Sequence, residues 1–242
     1  MRVGVYVDAF NLYYGGRSLC SRGTAGWRWL DVRSLSTSLV AASTGWPSAS
    51  LDRVVYCTAR IDAATNASGH RDQDIYLKAL VASGSVDHIE YGKYAYRVKV
   101  APLATKDARG KPQLVTPNWP IMIQDGGTPI QSGVFMASVA QREEKGSDVN
   151  VASHLLLDVL GGKIDAAVVI SNDSDLSLPL REARQRVPVG LVNPSKGRLA
   201  GDLRGTPTEG VGSHWWHQLS ALDFHRHQLP DPVGRYVRPI DW

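Results

Sequence analysis

The feature that most constrains this chain is a short apolar run, Ala166-Ala167-Val168-Val169-Ile170, that stops abruptly in Ser171-Asn172-Asp173-Ser174-Asp175. A run this short is too brief for a core helix and reads as a strand buried on both faces, the pattern of parallel sheets. The polar cluster is then the loop at its carboxyl end. Open parallel α/β sheets bind ligands in the crevice beyond those ends, so Asp173 and Asp175 are placed for chemistry and are candidate metal ligands. The same residue types also cap helices, and 176–186 reads as a helix with Pro179 in its first turn. Capping accounts for Ser174 or Asp175 but not for both aspartates.

A second run of this kind opens the chain. Arg2 to Val7 is β-branched and ends in Asp8, followed by Ala9-Phe10-Asn11. If both runs lie in one parallel sheet, Asp8 approaches Asp173 and Asp175 along one edge. Carboxylates brought together repel, and they either take up a proton or bind a cation. At neutral pH a divalent ion is the expected answer. Asn11 would orient a ligand or cap the following helix. The opening run is too short, and too soon interrupted by Asp8, for a secretory signal, and no stretch is apolar enough to span a membrane, so a cytoplasmic location is expected.

The intervening chain alternates strand and helix. Residues 51–59 and 86–91 read as strands, 71–82 as a helix, and 187–192 as the last strand, which predicts an α/β fold around a mostly parallel sheet. Arg60 and Arg71 fall near the same sheet edge and are candidate phosphate contacts. Tyr13 to Arg17 and Trp27-Arg28-Trp29 read as an aromatic and basic loop, whose tryptophans either stack on bases or fix the loop to the domain. Residues 94–142, with Pro102, Pro112, Pro117, Pro120 and Pro129, break the rhythm and read as an inserted β-rich lobe. Its runs 121–123 and 134–140 flank the turn at Asp125-Gly126-Gly127 as a hairpin. Lys93, Arg97, Lys99, Lys106, Arg109 and Lys111 make its first half basic.

Lys145-Gly146-Ser147-Asp148 then leads into a helix whose spacing puts Asp148 on the face of Val151, Ala152, Leu155 and Val159. A carboxylate heading an apolar stripe sits where desolvation is costly unless a cation or donor compensates, although first-turn dipole stabilisation competes as an account. The tail carries His214 and His217 at a metal-helix spacing. With two cysteines, Cys20 and Cys57, in no zinc pattern, zinc is not expected there. Trp215 and Trp216 are expected to anchor the tail. With 242 residues and a formal charge of +4, the chain is long enough for one main domain and mildly suited to a polyanion.

The stretches YVDAFNLYY, YCTARID with RDQDIYLKAL, EEKGSDVNVASHLLLD, and VVISNDSDLSLPL together resemble the NYN domain (LabA-like) family of PIN-like nucleases. The likeness runs through nearly the whole chain and is weakest over 98–140. It implies a Rossmann-like PIN/NYN fold, with residues 1–200 as the nuclease domain, the insertion at about 94–142, and 201–242 as an extension packed on it. It also implies an acidic pocket for Mg²⁺ or Mn²⁺ and endonucleolytic cleavage of RNA. The family's site positions correspond to Asp8, Asp148, Asp173 and Asp175, with Asn11, Ser171 and Asn172 beside them. Many relatives have Gly where Asn172 stands, and some carry an acid at the position of His154, which by helical angle points away from Asp148.

The expectation is therefore a metal-dependent ribonuclease with Asp8, Asp148 and Asp173 as ligands and Asp175 as ligand or base. Lys145 would neutralise a phosphate oxygen. A homo-oligomer is among the states the sequence allows. An inactive RNA-binding or adaptor module with the same fold is the alternative, as is a nuclease for DNA, because the same chemistry serves either backbone.

Overall fold

The computed structural model describes residues 1–43, 45–109, 111–115, 123–125, 127–130 and 136–242. The chain divides into two compact units, one formed by Met1–Tyr94 with Glu144–Trp242 and the other by Ala95–Glu143. In order, the elements are β1 (Arg2–Asp8), α1 (Ala9–Leu19), α2 (Val32–Ala42), β2 (Ser50–Ala59), α3 (Ala67–Ala82), β3 (His88–Pro102), β4 (Ala104–Lys106), β5 (Pro112–Leu114), β6 (Ile123–Asp125), β7 (Thr128–Ile130) and β8 (Met136–Lys145). After these come α4 (Ser147–Leu160), β9 (Ala166–Ile170), a 3₁₀ turn (Ser174–Leu176), α5 (Ser177–Arg184), β10 (Val189–Asn193), α6 (Gly201–Arg204), β11 (Trp215–Gln218) and α7 (Ala221–Arg226).

The main sheet has seven strands in the order β11-β10-β9-β1-β2-β3-β8. The pairings from β11 through β3 are all parallel. β1 is central because its side chains serve both faces. Val3, Val5 and Val7 pack with Leu12 of α1, Leu35 of α2 and Leu80 of α3, while Tyr6 packs on the opposite side with Val151 and Leu155 of α4 and Leu180 of α5. Two apolar layers with one sheet between them make a three-layer α/β/α arrangement, and they explain why β1 and β9 carry almost no polar residues. No helix among the described residues is long and apolar enough to cross a membrane.

Several boundaries differ from those read in the sequence. Tyr13 to Arg17 is helix, not loop. Trp27 and Trp29 are 2% and 0% exposed, and the Trp29 indole donates to the Pro230 carbonyl at 2.9 Å, so both fix the chain and neither is open to a base. The hairpin at 125–128 pairs β6 with β7, whereas Met136–Lys145 forms β8 of the main sheet; Ile121, Met122, Val134 and Phe135 lie outside the described residues. A second hairpin pairs β4 with β5. Residues 215–218 add an edge strand beside β10. Trp242 packs on Trp29 and Tyr76 and accepts the Gly26 N–H.

Candidate active site at the carboxyl edge of the sheet

Asp8, Asn11, Glu144, Asp148 and the 171–175 loop all belong to the first compact unit. Asp8 ends β1 and caps α1. Its Oδ1 accepts the backbone N–H groups of Phe10 and Asn11, both at 3.1 Å, and its Oδ2 accepts Asn11 Nδ2 at 2.7 Å and Ser171 Oγ at 3.0 Å. The side chain is 98% removed from solvent, with 2% exposure. Burial pushes its pKa up; the donors from Asn11 and Ser171 oppose that, and the neighbouring Asp173 charge adds to it. A carboxylate offers about four lone-pair directions, so Asp8 is fully hydrogen-bonded as it stands. A cation would bind by displacing Asn11 Nδ2 or the Ser171 hydroxyl, both of which sit on rotatable side chains.

The register of β1 against β9 brings the second acidic loop here. Val7 pairs with Ile170, so Ser171 lies directly beside Asp8. Ser171 Oγ also accepts the Asp173 N–H at 3.1 Å, and Asp173 Oδ1 accepts the Asp175 N–H at 3.1 Å, capping the 3₁₀ turn. Capping is thus real for Asp8 and Asp173, and it engages one oxygen of Asp173. Asp175 is exposed. The Asn172 N–H donates to Asn11 Oδ1 at 3.2 Å, and the Asn172 side chain turns away to bond Arg198 O at 3.1 Å and Ala200 N at 2.8 Å. It thereby tethers the 198–200 segment.

The third contribution comes from the start of α4. Gly146 caps that helix with φ +95°, a left-handed conformation that costs glycine least. Asp148 lies half-buried in the first turn, above the buried stripe of Val151, Leu155 and Val159. Glu144, which the sequence reading passed over, accepts Ser147 N at 3.1 Å and Ser147 Oγ at 2.8 Å. A Cβ on Gly92 would come within 2.8 Å of Glu144 Oε1, so the carboxylate is held against β3. Burial pushes the Glu144 pKa up, the Ser147 donors oppose it, and the charges of Asp8 and Asp148 raise it further. The signal that would have found Glu144 is the strand preceding it: once Met136–Lys145 is read as β8, the acids at its end fall on the same edge.

A pH dependence follows. With its pKa raised, Glu144 binds its proton more tightly in the folded chain than in the unfolded one. The associated stability is complete below the ordinary carboxyl range and is lost as pH rises through the raised value. Chelator-treated protein is expected to lose stability relative to Glu144→Gln as pH rises out of the ordinary carboxyl range, measured by urea unfolding. Parallel stability curves for the two proteins would count against this placement of Glu144.

These carboxylates influence one another in sequence: Asp173 acts on Asp8, and Asp8 and Asp148 act on Glu144. Among the described residues no three of them bring ligand atoms within 4.8 Å of one another; the group that does is His88, Glu90 and His154. The donors at the acidic edge are all hard oxygens. That suits Mg²⁺ or Mn²⁺, which bind through a few carboxylates and keep several waters.

Arg60 donates to Asp74 at 3.1 Å and to Tyr91 Oη at 3.3 Å and lies over the Tyr91 ring, so its guanidinium is already engaged. Arg71 is exposed on α3, and Lys145 is exposed at the end of β8. His214 is buried; its Nδ1 accepts Val189 N at 2.9 Å and its Nε2 faces Glu209 O at 2.6 Å. With both ring nitrogens bonded to backbone, it holds β10 in place.

The elements thus define an α/β protein with an acidic edge. No family model matches the chain. It is 29% identical over 263 aligned positions to 6-hydroxy-3-succinoylpyridine 3-monooxygenase HspA of Pseudomonas putida (strain DSM 28022 / S16), an alignment spanning 100% of this chain and 75% of that protein. A crystal structure of a protein of unknown function, VPA0982 from Vibrio parahaemolyticus RIMD 2210633, is similar over 89% of this chain and 91% of that one, with 12% identity and a TM-score of 0.43.

Proposed function

We propose that the chain is a metal-dependent nuclease that hydrolyses phosphodiester bonds of single-stranded RNA at the carboxyl edge of its sheet, within a PIN-like fold. The observation that carries this reading is the buried Asp8 carboxylate, set beside Asp173 and within electrostatic reach of Glu144 where the central strand ends. Asp8, Asp173 and Asp148 would hold Mg²⁺ or Mn²⁺, with Glu144 joining them. When bound, the ion supplies Lewis acidity toward a phosphoryl oxygen and lowers the pKa of a water.

The chain's own side chains do the rest. Asn11 and Ser171 orient Asp8. Exposed Asp175 would accept the proton of the attacking water, and Lys145 and Arg71 would offer positive charge to flanking phosphates. Tyr13 and Tyr14, 40% and 56% exposed on α1 just after Asn11, present aromatic faces on which unpaired bases stack.

A second reading, an oxygenase, is favoured by the name of the 29% identical relative, whose alignment spans this entire chain. One experiment separates the readings. Labelled single-stranded RNA and DNA are incubated with the protein in Mn²⁺ and in EDTA, alongside oxygen uptake with a hydroxypyridine and a reduced nicotinamide or flavin as the two-electron donor that a monooxygenase reaction requires. Cleavage of RNA in Mn²⁺ alone is the expected result. Oxygen uptake without cleavage overturns the nuclease reading in favour of the oxygenase. Binding of RNA without products in either buffer overturns it in favour of an inactive module.

A further inference from the structure

On the α4 face of the sheet, two strands over from Asp8, β3 and α4 bring together a different set of donors. His88 and Glu90 are two residues apart on β3 and so share a face. The register of β3 on β2 puts them level with Val55 and Cys57, whose side chains lie in the α4 layer, and α4 supplies His154. His88 Nε2 lies 2.9 Å and His154 Nε2 3.1 Å from one atom, Glu90 Oε2. The ligand atoms of the three residues all fall within 4.8 Å of one another. The two imidazoles are 5.0 Å apart and tilted by 53°, so they do not stack face to face; they converge edge-on upon the carboxylate.

We infer that His88, Glu90 and His154 form a binding site for a divalent first-row transition ion of the zinc class, distinct from the oxygen-only edge. Ligands about 2.0–2.1 Å from an ion at tetrahedral or octahedral angles lie about 2.9–3.4 Å from each other, which is the spacing already present between each ring nitrogen and Glu90 Oε2. Without an ion, a single carboxylate oxygen must satisfy two N–H groups. With an ion, both rings move their proton to Nδ1, and the Nε2 lone pairs and Glu90 share the cation that replaces the two hydrogens. Imidazole donors prefer zinc, iron or nickel over magnesium. The side chains of His88, Glu90 and His154 are 43%, 39% and 22% exposed, so an ion has a path in and keeps positions open to water.

The inference does not depend on the nuclease reading, and its test needs no turnover. Untagged, chelator-stripped protein carrying Asp173→Asn, which weakens the acidic edge, is titrated with Zn²⁺ by calorimetry and with Co²⁺ by visible absorption. One site with an imidazole-type cobalt spectrum is expected. His88→Asn and His154→Gln are each expected to weaken binding by about 100-fold, since even partners outside the ligand set cost 10–100-fold. Their metal-free thermal unfolding, compared with the parent, shows whether each variant has folded, and Glu90→Gln, close in shape to the native residue, provides a third variant. Absence of the site in the parent, or binding by the folded variants equal to the parent's, overturns the assignment.

Discussion

Asp173→Asn is expected to lower Mn²⁺-dependent cleavage of RNA by about 100-fold or more, equivalent to roughly 3 kcal/mol of barrier, while leaving the melting temperature of the metal-free protein nearly unchanged. The contrast rests on what the side chain does now. Its Oδ1 caps the 3₁₀ turn through the Asp175 N–H, and asparagine caps about as well as aspartate, so the turn persists. What is removed is a charge beside Asp8. A cation then has one fewer anionic ligand, and Asp8 is relieved of a repulsive neighbour. Gel analysis of a labelled oligonucleotide, with calorimetric melting of the same preparations, checks both halves. Undiminished cleavage by a folded variant would remove Asp173 from the proposed metal set and the nuclease reading with it.

Asp158→Ala is expected to cost about 3–5 kcal/mol of folding stability, the range for stripping one partner from a buried charged network. Asp158 is 1% exposed on α4 and accepts the Tyr6 hydroxyl at 2.9 Å, Arg53 Nη1 at 2.8 Å and Lys163 Nζ at 3.2 Å. Tyr6 is itself fully buried, and burial followed by the Asp158 charge pushes its hydroxyl pKa well up. Truncation strands that hydroxyl between β1 and α4 and leaves Arg53 without its anion. Asp158→Asn keeps an acceptor for Tyr6 and is expected to lose less. Urea unfolding of both variants and of Tyr6→Phe/Asp158→Asn gives the comparison; a loss below about 1 kcal/mol for the alanine variant would mean that solvent reaches this network.

The parts of the fold that were legible in the sequence follow from strong local patterns. Ala166–Ile170 and Arg2–Val7 are apolar because both faces of the sheet are covered, and each ends at the polar loop where the strand leaves the core. The α4 stripe gave the position of Asp148 by helical angle alone. What the sequence concealed depends on packing between distant segments. Tyr13 to Arg17 reads as loop because Gly15 and Gly16 disfavour helix. The glycines are there because a Cβ at Gly15 would lie 2.3 Å from the Pro194 carbonyl oxygen and one at Gly16 2.6 Å from Phe224. Glu144 was missed because β8 lies in a stretch whose prolines suggested only an insertion. That His154 meets His88 and Glu90 cannot be read from helical spacing, because it requires knowing that β3 runs beside α4.

The position of β1 also bears on how the polypeptide reaches this state. It precedes both neighbours in the chain, yet it lies between β2 and β9, and the layer beneath it includes Phe224 and Leu229 and is flanked by Trp242. A nascent chain emerging from the ribosome can dock β2 early, but the opposite edge of β1 stays unpaired until Ala166–Ile170 has been made. Such late closure of an apolar edge favours slow maturation and engagement by holdase chaperones during translation.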